Sequence, residues 1–228
     1  MSTLADNLNA LEARIRDAAQ AAGRDPASVK LLAVSKTKPA SAIRELHAAG
    51  ACDIGENYLQ EALGKQAELA DLPLTWHFIG PIQSNKTRAI AEHFDWVHAV
   101  DRLKIAQRLS EQRPAGREPL NICLQVNVSG EASKSGCSPH ELPALAEAVK
   151  ALPGVRLRGL MAIPEPTEDR AAQEQAFAQL RELLERLDPA LDTLSMGMSH
   201  DLEAAIAQGA TWVRIGTALF GARDYGPV

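Results

Sequence analysis

The sequence predicts a single (β/α)8 barrel of the TIM type, α/β in class, with one extra helix at the N-terminus. Three observations lead there. Along 228 residues, eight short apolar runs alternate with longer patterns of helical period. Strict alternation of strands and helices implies parallel strands joined by right-handed crossovers. The runs lack a clean polar alternation, as suits a sheet covered on both faces, and eight repeats at this length favour a closed barrel over an open sheet.

The elements follow in order. Leu4, Leu8, Leu11 and Ile15 recur at helical spacing, and Gly23 stops that first helix. The apolar runs span 29–35, 51–54, 74–79, 95–100, 120–128, 155–163, 191–196 and 211–215. Between them, segments such as ASAIRELHAA, LPALAEAVKAL and AAQEQAFAQLRELLERL carry the stripe of a helix packed on a sheet. One helix start is well marked, with Ser138 as N-cap, Pro139 at the first position and Glu141 as capping-box acid. No Pro/Gly/Ser-rich linker divides the chain, so residues 1–228 read as one domain ending in a short surface tail, ARDYGPV.

Composition narrows the function classes. With 46% hydrophobic and 23% charged residues the chain reads as a soluble globular protein. A net charge of −5 without a basic block argues against nucleic acid or an anionic membrane as the main partner. The N-terminus lacks an apolar signal core and no later run is long enough to span a bilayer, which predicts a cytoplasmic protein. Cys52, Cys123 and Cys137 have no CxxC spacing and read as reduced, mostly buried thiols. Together with His47 they lack the spacing of a zinc site, so no metal is expected.

Barrels place their sites in the loops after the C-terminal strand ends. The first strand ends in Ser35-Lys36-Thr37, and the second runs into Gly55-Glu56-Asn57-Tyr58. The seventh and eighth lead into Gly197, Ser199 and His200 and into Arg214, Gly216 and Thr217. Glycines there allow close backbone approach, and hydroxyls at helix starts make an anion site. Barrel phosphate sites often occupy this corner. Closure makes the eighth strand a neighbour of the first, so Lys36 and Arg214 are expected on strands roughly 5 Å apart. A partly desolvated lysine near a second cation has a lowered pKa and supplies the neutral amine that forms a Schiff base with an aldehyde. Pyridoxal 5′-phosphate (PLP) is one aldehyde that carries a phosphate.

These motifs resemble, over essentially the whole length, the pyridoxal phosphate homeostasis proteins. The matching stretches are LLAVSKTKP, IGENYLQE, WHFIGPIQSNK, LQVNVSGEASKSG, RGLMAIP, LSMGMSHDLEAAI and VRIGTALFG, in that order. The resemblance implies a barrel like the N-terminal domain of alanine racemase. It implies that Lys36 carries PLP, that Arg214 faces the pyridine nitrogen and that Asn57 lies near the ring. Ser199, Gly216 and Thr217 match the phosphate-binding positions. It further implies a role in cellular PLP balance, with apo-PLP enzymes as recipients, and no catalytic residue. A monomer is expected.

An arginine opposite the pyridine nitrogen disfavours its protonation and makes the cofactor a weaker electron sink. The racemase has a second domain bearing a tyrosine acid/base, whereas the tyrosines here are Tyr58 and Tyr225. Binding without much turnover is therefore preferred over the alternative, a PLP-dependent racemase or related enzyme. A phosphosugar barrel enzyme would need a carboxylate pair at the strand ends, which is missing. His77 reads as a satisfied core histidine or one that supports a site residue from behind, and Met196 and Met198 as space-fillers around a ligand or the core. Glu165, Glu168 and Asp169 read as a solvated helix start. Asn85 and Lys86 read as helix-start or pocket residues, and Lys134 as a candidate second lysine for cofactor transfer.

Overall fold

The computed structural model describes residues 3–130 and 135–221. Eight parallel strands close into a barrel in chain order: β1 (Lys30–Val34), β2 (Asp53–Glu56), β3 (Thr75–Phe78), β4 (Trp96–Val100), β5 (Leu120–Gln125), β6 (Val155–Met161), β7 (Thr193–Ser195) and β8 (Trp212–Ile215). Around them lie α1 (Leu4–Ala21), α2 (Ala40–Ala48), α3 (Leu59–Glu68), α4 (Thr87–His93), α5 (Leu103–Gln112), α6 (Leu142–Lys150), α7 (Arg170–Leu187), α8 (Leu202–Ala207) and α9 (Thr217–Phe220). Every predicted run holds a strand. The extra helix α1 buries Leu8, Leu11, Ile15 and Ala19 and packs on α2, α8 and α9. Lys134 and the segment 222–228, with Tyr225, lie outside the described residues.

Alternation along each strand separates two cores. Ala33, Ile54, Phe78, Val97, Ile122, Leu160, Leu194 and Val213 join the large apolar cluster between sheet and helices. The opposite rows, Leu32 with Val34, Ile79, Trp212, and Trp96 with Cys123 and Met161, form two small clusters. Their positions on the strands turn them into the barrel, where small layered clusters are expected. The same inward rows carry buried His77, His98, Ser195 and Arg214, so the barrel interior is polar at its centre.

Two elements differ from the sequence reading. The second strand is 53–56 rather than 51–54, because Gly55 and Glu56 pair with His77 and Phe78. Glu56 looks like a loop residue in sequence, yet it is fully buried between sheet and α3. Its Oε1 accepts from Lys65 Nζ at 2.7 Å and from Ser35 Oγ at 2.5 Å. The capping residues before α6 also act differently. Ser138 and Glu141 do exchange hydrogen bonds, Glu141 N to Ser138 Oγ at 3.3 Å and Ser138 N to Glu141 Oε2 at 3.0 Å. They close a turn ahead of the helix, however, since Pro143 has no N–H to continue the ladder and α6 begins at Leu142.

Burial pushes the Glu56 carboxyl above its usual range, against the hydrogen bonds from Lys65 and Ser35 that pull it down. A carboxyl raised by folding holds its proton more tightly folded than unfolded, and that advantage is lost as pH climbs through the raised value. Lys65→Met removes the opposing cation and leaves a buried charge. The variant should lose about 3–5 kcal/mol near neutral pH. It should regain part of this as the pH falls through the raised value, where the folded carboxyl takes up its proton. Urea melts across that range measure both; a loss independent of pH would contradict the assignment.

Candidate functional site

At the C-terminal end of the barrel a cavity of about 220 Å³ is lined by Lys36, Asn57, Ser199, Arg214, Gly216 and Thr217, every site residue predicted from sequence. Val34, Ile79, Ile163, Met198 and His200 complete the wall. Val34 and Ile79 extend inward rows of β1 and β3, a signal available from strand alternation. His200 sits beside Ser199, and no feature of the sequence distinguished it from a surface residue. Met198 faces the cavity whereas Met196 belongs to the main core.

Lys36 follows directly on the inward row Leu32–Val34. Its loop is pinned from below. Lys65 Nζ donates to Ser35 O at 2.8 Å, and Thr37 N donates to Glu61 Oε1 at 2.6 Å. Lys38 N closes the turn onto Ser35 O at 3.0 Å. Thr37 takes φ 64°, the one positive value among the described non-glycine residues. Such a conformation costs about 1–3 kcal/mol and persists where the surroundings impose it. Strain here fixes where the chain turns after the lysine.

Strands β1 and β8 are neighbours, as expected, but the register corrects the predicted closeness of Lys36 to Arg214. Arg214 pairs with Leu32. Lys36 therefore stands four residues further along, about 13 Å by strand rise. The two side chains reach the cavity from different depths. Arg214 is buried, and its Nη1 donates to Ser195 Oγ at 2.8 Å and its Nη2 to Ala162 O at 3.0 Å. Burial pulls its guanidinium down to about 10, against the attraction of Asp201. It remains a cation at neutral pH.

The anion corner also differs in detail. Thr217 opens α9, a single turn whose dipole adds little, and Ser199 lies three residues ahead of α8 rather than at its cap. Ser199 Oγ instead accepts from Ala218 N at 3.3 Å, which ties the seventh loop to the eighth. Arg14 of α1 backs this corner: its Nη1 donates to Ser199 O at 2.9 Å, while Nη2 holds Glu203 Oε2 at 2.7 Å. The two predicted glycines divide. Gly197 has φ 96°, and a Cβ there would lie 2.6 Å from Ala205 Cβ, so its reason is the turn itself. Gly216 needs neither: an added Cβ would meet its nearest neighbour, Val34 O, at an ordinary 3.4 Å. A glycine on the cavity wall without a local cause fits close approach by a ligand.

Asn57 Oδ1 is a buried acceptor without a hydrogen-bond partner among the described residues, an atom suited to a ligand donor. The remaining candidates stay outside. Asn85 and Lys86 lie in a 3-10 turn at 84–86 and do not line the cavity. Asp169 caps α7 through Ala171 N at 2.9 Å. Cys123 and Cys137 are buried and Cys52 is exposed; burial pushes the first two thiols up to about 12 and about 11. Among the described residues no group of side chains could hold a metal, and no helix is long and apolar enough to cross a membrane.

Comparison with known proteins adds family relations. The family described as alanine racemase, N-terminal domain, matches residues 7–224. The pyridoxal phosphate homeostasis protein of Pseudomonas aeruginosa is 81% identical, with 99% of this chain and 98% of that one covered. The protein of the same name from Vibrio cholerae is 56% identical, with 99% and 98% covered. The solved structure of PipY from Synechococcus elongatus, with PLP bound, is similar at a TM-score of 0.84 and 42% identity, covering 96% of this chain and 100% of that one.

Proposed function

The chain belongs to the family of pyridoxal phosphate homeostasis proteins, built on the alanine racemase N-terminal domain, and on that premise we propose that it binds PLP at the open end of the barrel and serves cellular PLP homeostasis. The observation that carries this reading is the convergence of Lys36, Asn57, Ser199, Arg214, Gly216 and Thr217 on one cavity. When bound, PLP supplies an aldehyde that condenses with a primary amine. Lys36 offers that amine. The Ser199 hydroxyl and the chain at Gly216 and Thr217 hold the phosphate by hydrogen bonds to its charged oxygens. Asn57 presents an acceptor toward the ring, and Arg214 donates to an unprotonated ring nitrogen.

A carrier fits these residues better than a racemase. Arg214 does not separate the two, since the racemase works with an arginine there as well; the difference lies in the acid/base, and Tyr58, half-exposed, does not line the cavity. Among the described residues no tyrosine lines the cavity, and loss of such an acid/base forfeits about 10²–10⁴-fold. We read the chain as one cytoplasmic domain, active as a monomer, that passes PLP to apo-enzymes. The test is chemical. The protein with PLP should be yellow, and borohydride should fix the cofactor to the peptide containing Lys36. Pyridoxal without phosphate should bind far more weakly, since several charge-assisted hydrogen bonds of about 1.5–3 kcal/mol each are lost. Equal affinities for the two, or a label on Lys86 or Lys134, would overturn the assignment.

A further inference from the structure

Behind the site residue Arg214 the barrel interior holds a line of polar groups, none of which lines the cavity. From Arg214 Nη1 it runs 2.8 Å to Ser195 Oγ, then 2.7 Å from that oxygen to His98 Nδ1. His98 Nε2 lies 2.9 Å from His77 Nδ1, and His77 Nε2 lies 3.1 Å from Asp53 Oδ1. Ser195, His98 and His77 are fully buried; Asp53 opens β2 at the far end of the barrel with its side chain 31% exposed. The line therefore crosses the barrel from the floor of the cavity to the opposite rim.

We propose that Ser195, His98, His77 and Asp53 form a one-way chain of hydrogen bonds that holds Arg214 in position behind the ring nitrogen of the ligand. This rests on the reading that PLP occupies the cavity with its ring nitrogen toward Arg214. The direction follows from the two ends. A guanidinium only donates and a carboxylate only accepts. Asp53 thus requires N–H at His77 Nε2. A neutral His77 then accepts at Nδ1 and requires N–H at His98 Nε2. His98 in turn accepts at Nδ1, so the Ser195 hydroxyl must donate to it. The lone pairs of that hydroxyl face Arg214.

Each step is consistent with both imidazoles being neutral. Burial lowers the pKa of His77 against the pull of Asp53, and burial, then His77 and Arg214, lower that of His98 further. Packing fixes the rings as well. His77 stacks on Trp96 at 5.6 Å and 10° and meets Trp212 edge-on at 4.9 Å. A buried polar chain with every member satisfied specifies one arrangement. These are positioning residues, acting on the ligand through Arg214.

Histidine ¹⁵N NMR on the ligand-free protein should show both His77 and His98 as neutral Nε2–H tautomers; Nδ1–H at either would overturn the chain, whatever the protein binds. The second measurement uses PLP and an analogue with carbon in place of the ring nitrogen. Ser195→Ala should weaken PLP about tenfold, as for one lost hydrogen bond to a charged group. The carbon analogue should bind that variant and the wild type alike. Equal weakening of both ligands would mean a structural role alone and overturn the proposal. If Ser195→Ala does not fold, Asp53→Asn at the open rim replaces it. It should move the His77 and His98 nitrogen signals and the ring nitrogen signal of bound PLP, and no movement overturns the proposal. Failure of the wild type to bind PLP would instead defeat the parent reading, while the tautomers would still test the chain.

Discussion

Lys36→Ala is expected to abolish the borohydride-fixable cofactor while leaving a weaker, reversible site. The variant should be colourless after dialysis, with affinity lowered by the order of a hundredfold or more, about 2.7 kcal/mol. Binding should not vanish, since Ser199, Gly216, Thr217 and Arg214 line the same cavity and keep their own contacts. Pyridoxal, having no phosphate to fall back on, should lose nearly all of its remaining binding in the variant. Lys65, buried against the loop that carries Lys36, is an internal rival. Its Nζ already donates to Ser35 O, Glu56 Oε1 and Glu61 Oε1, and those hydrogen bonds would have to break before it could attack an aldehyde. A reduced label that survives Lys36→Ala on another lysine would show the holder has been misassigned. Equilibrium titration and peptide mapping decide it.

Arg214→Glu should reverse the preferred protonation of the ring nitrogen, because a carboxylate stabilises a pyridinium as the guanidinium opposes it. The cofactor then becomes a stronger electron sink, and slow transamination of amino acids should appear above the trace level expected of the wild type. The structure adds a cost. The new carboxylate would face Ala162 O, which now accepts from Arg214 Nη2 at 3.0 Å, and would lose that bond. Replacing a buried cation by an anion beside a carbonyl should cost several kcal/mol of stability, of the order seen when a buried charge loses its partner. Ligand-free melts report that cost. Ring ¹⁵N shifts of labelled PLP report the electronic effect, with Arg214→Gln as the milder variant should the glutamate not fold. A ring nitrogen already protonated in the wild type would remove the electronic argument for low turnover.

What was legible in the sequence was periodicity and position. The eight runs marked the strands, and the residues at or just past their ends marked the six candidates that line one cavity, because a barrel sends its strand ends to one face. Depth was not legible. Nothing in VSKT and VRIGT reveals that Arg214 pairs with Leu32 and that Lys36 stands four residues further on. Register depends on pairing across the closed barrel, between residues far apart in sequence. Compensated burial was hidden for the same reason. Glu56 reads as a loop carboxylate until Lys65, nine positions later, arrives against it from α3. His77 was recognised as a satisfied core residue, but its partners His98 and Asp53, and Ser195 beyond His98, come from three other strands. No local pattern joins them.

If Ser199, Gly216 and Thr217 hold the phosphate as proposed, the extra helix α1 bears on affinity although it lines no part of the cavity. Arg14 grips the carbonyl of Ser199, and Asn7 Nδ2 donates to Leu219 O at 2.9 Å at the end of α9, so one helix clasps both sides of the phosphate corner. Thermodynamic linkage makes that grip reciprocal: whatever factor the docked helix adds to phosphate affinity, bound phosphate must return to the docking of the helix. Loosening of α1 would then set how readily the corner opens, and a recipient that drew α1 away would lower the affinity of a site it never touched.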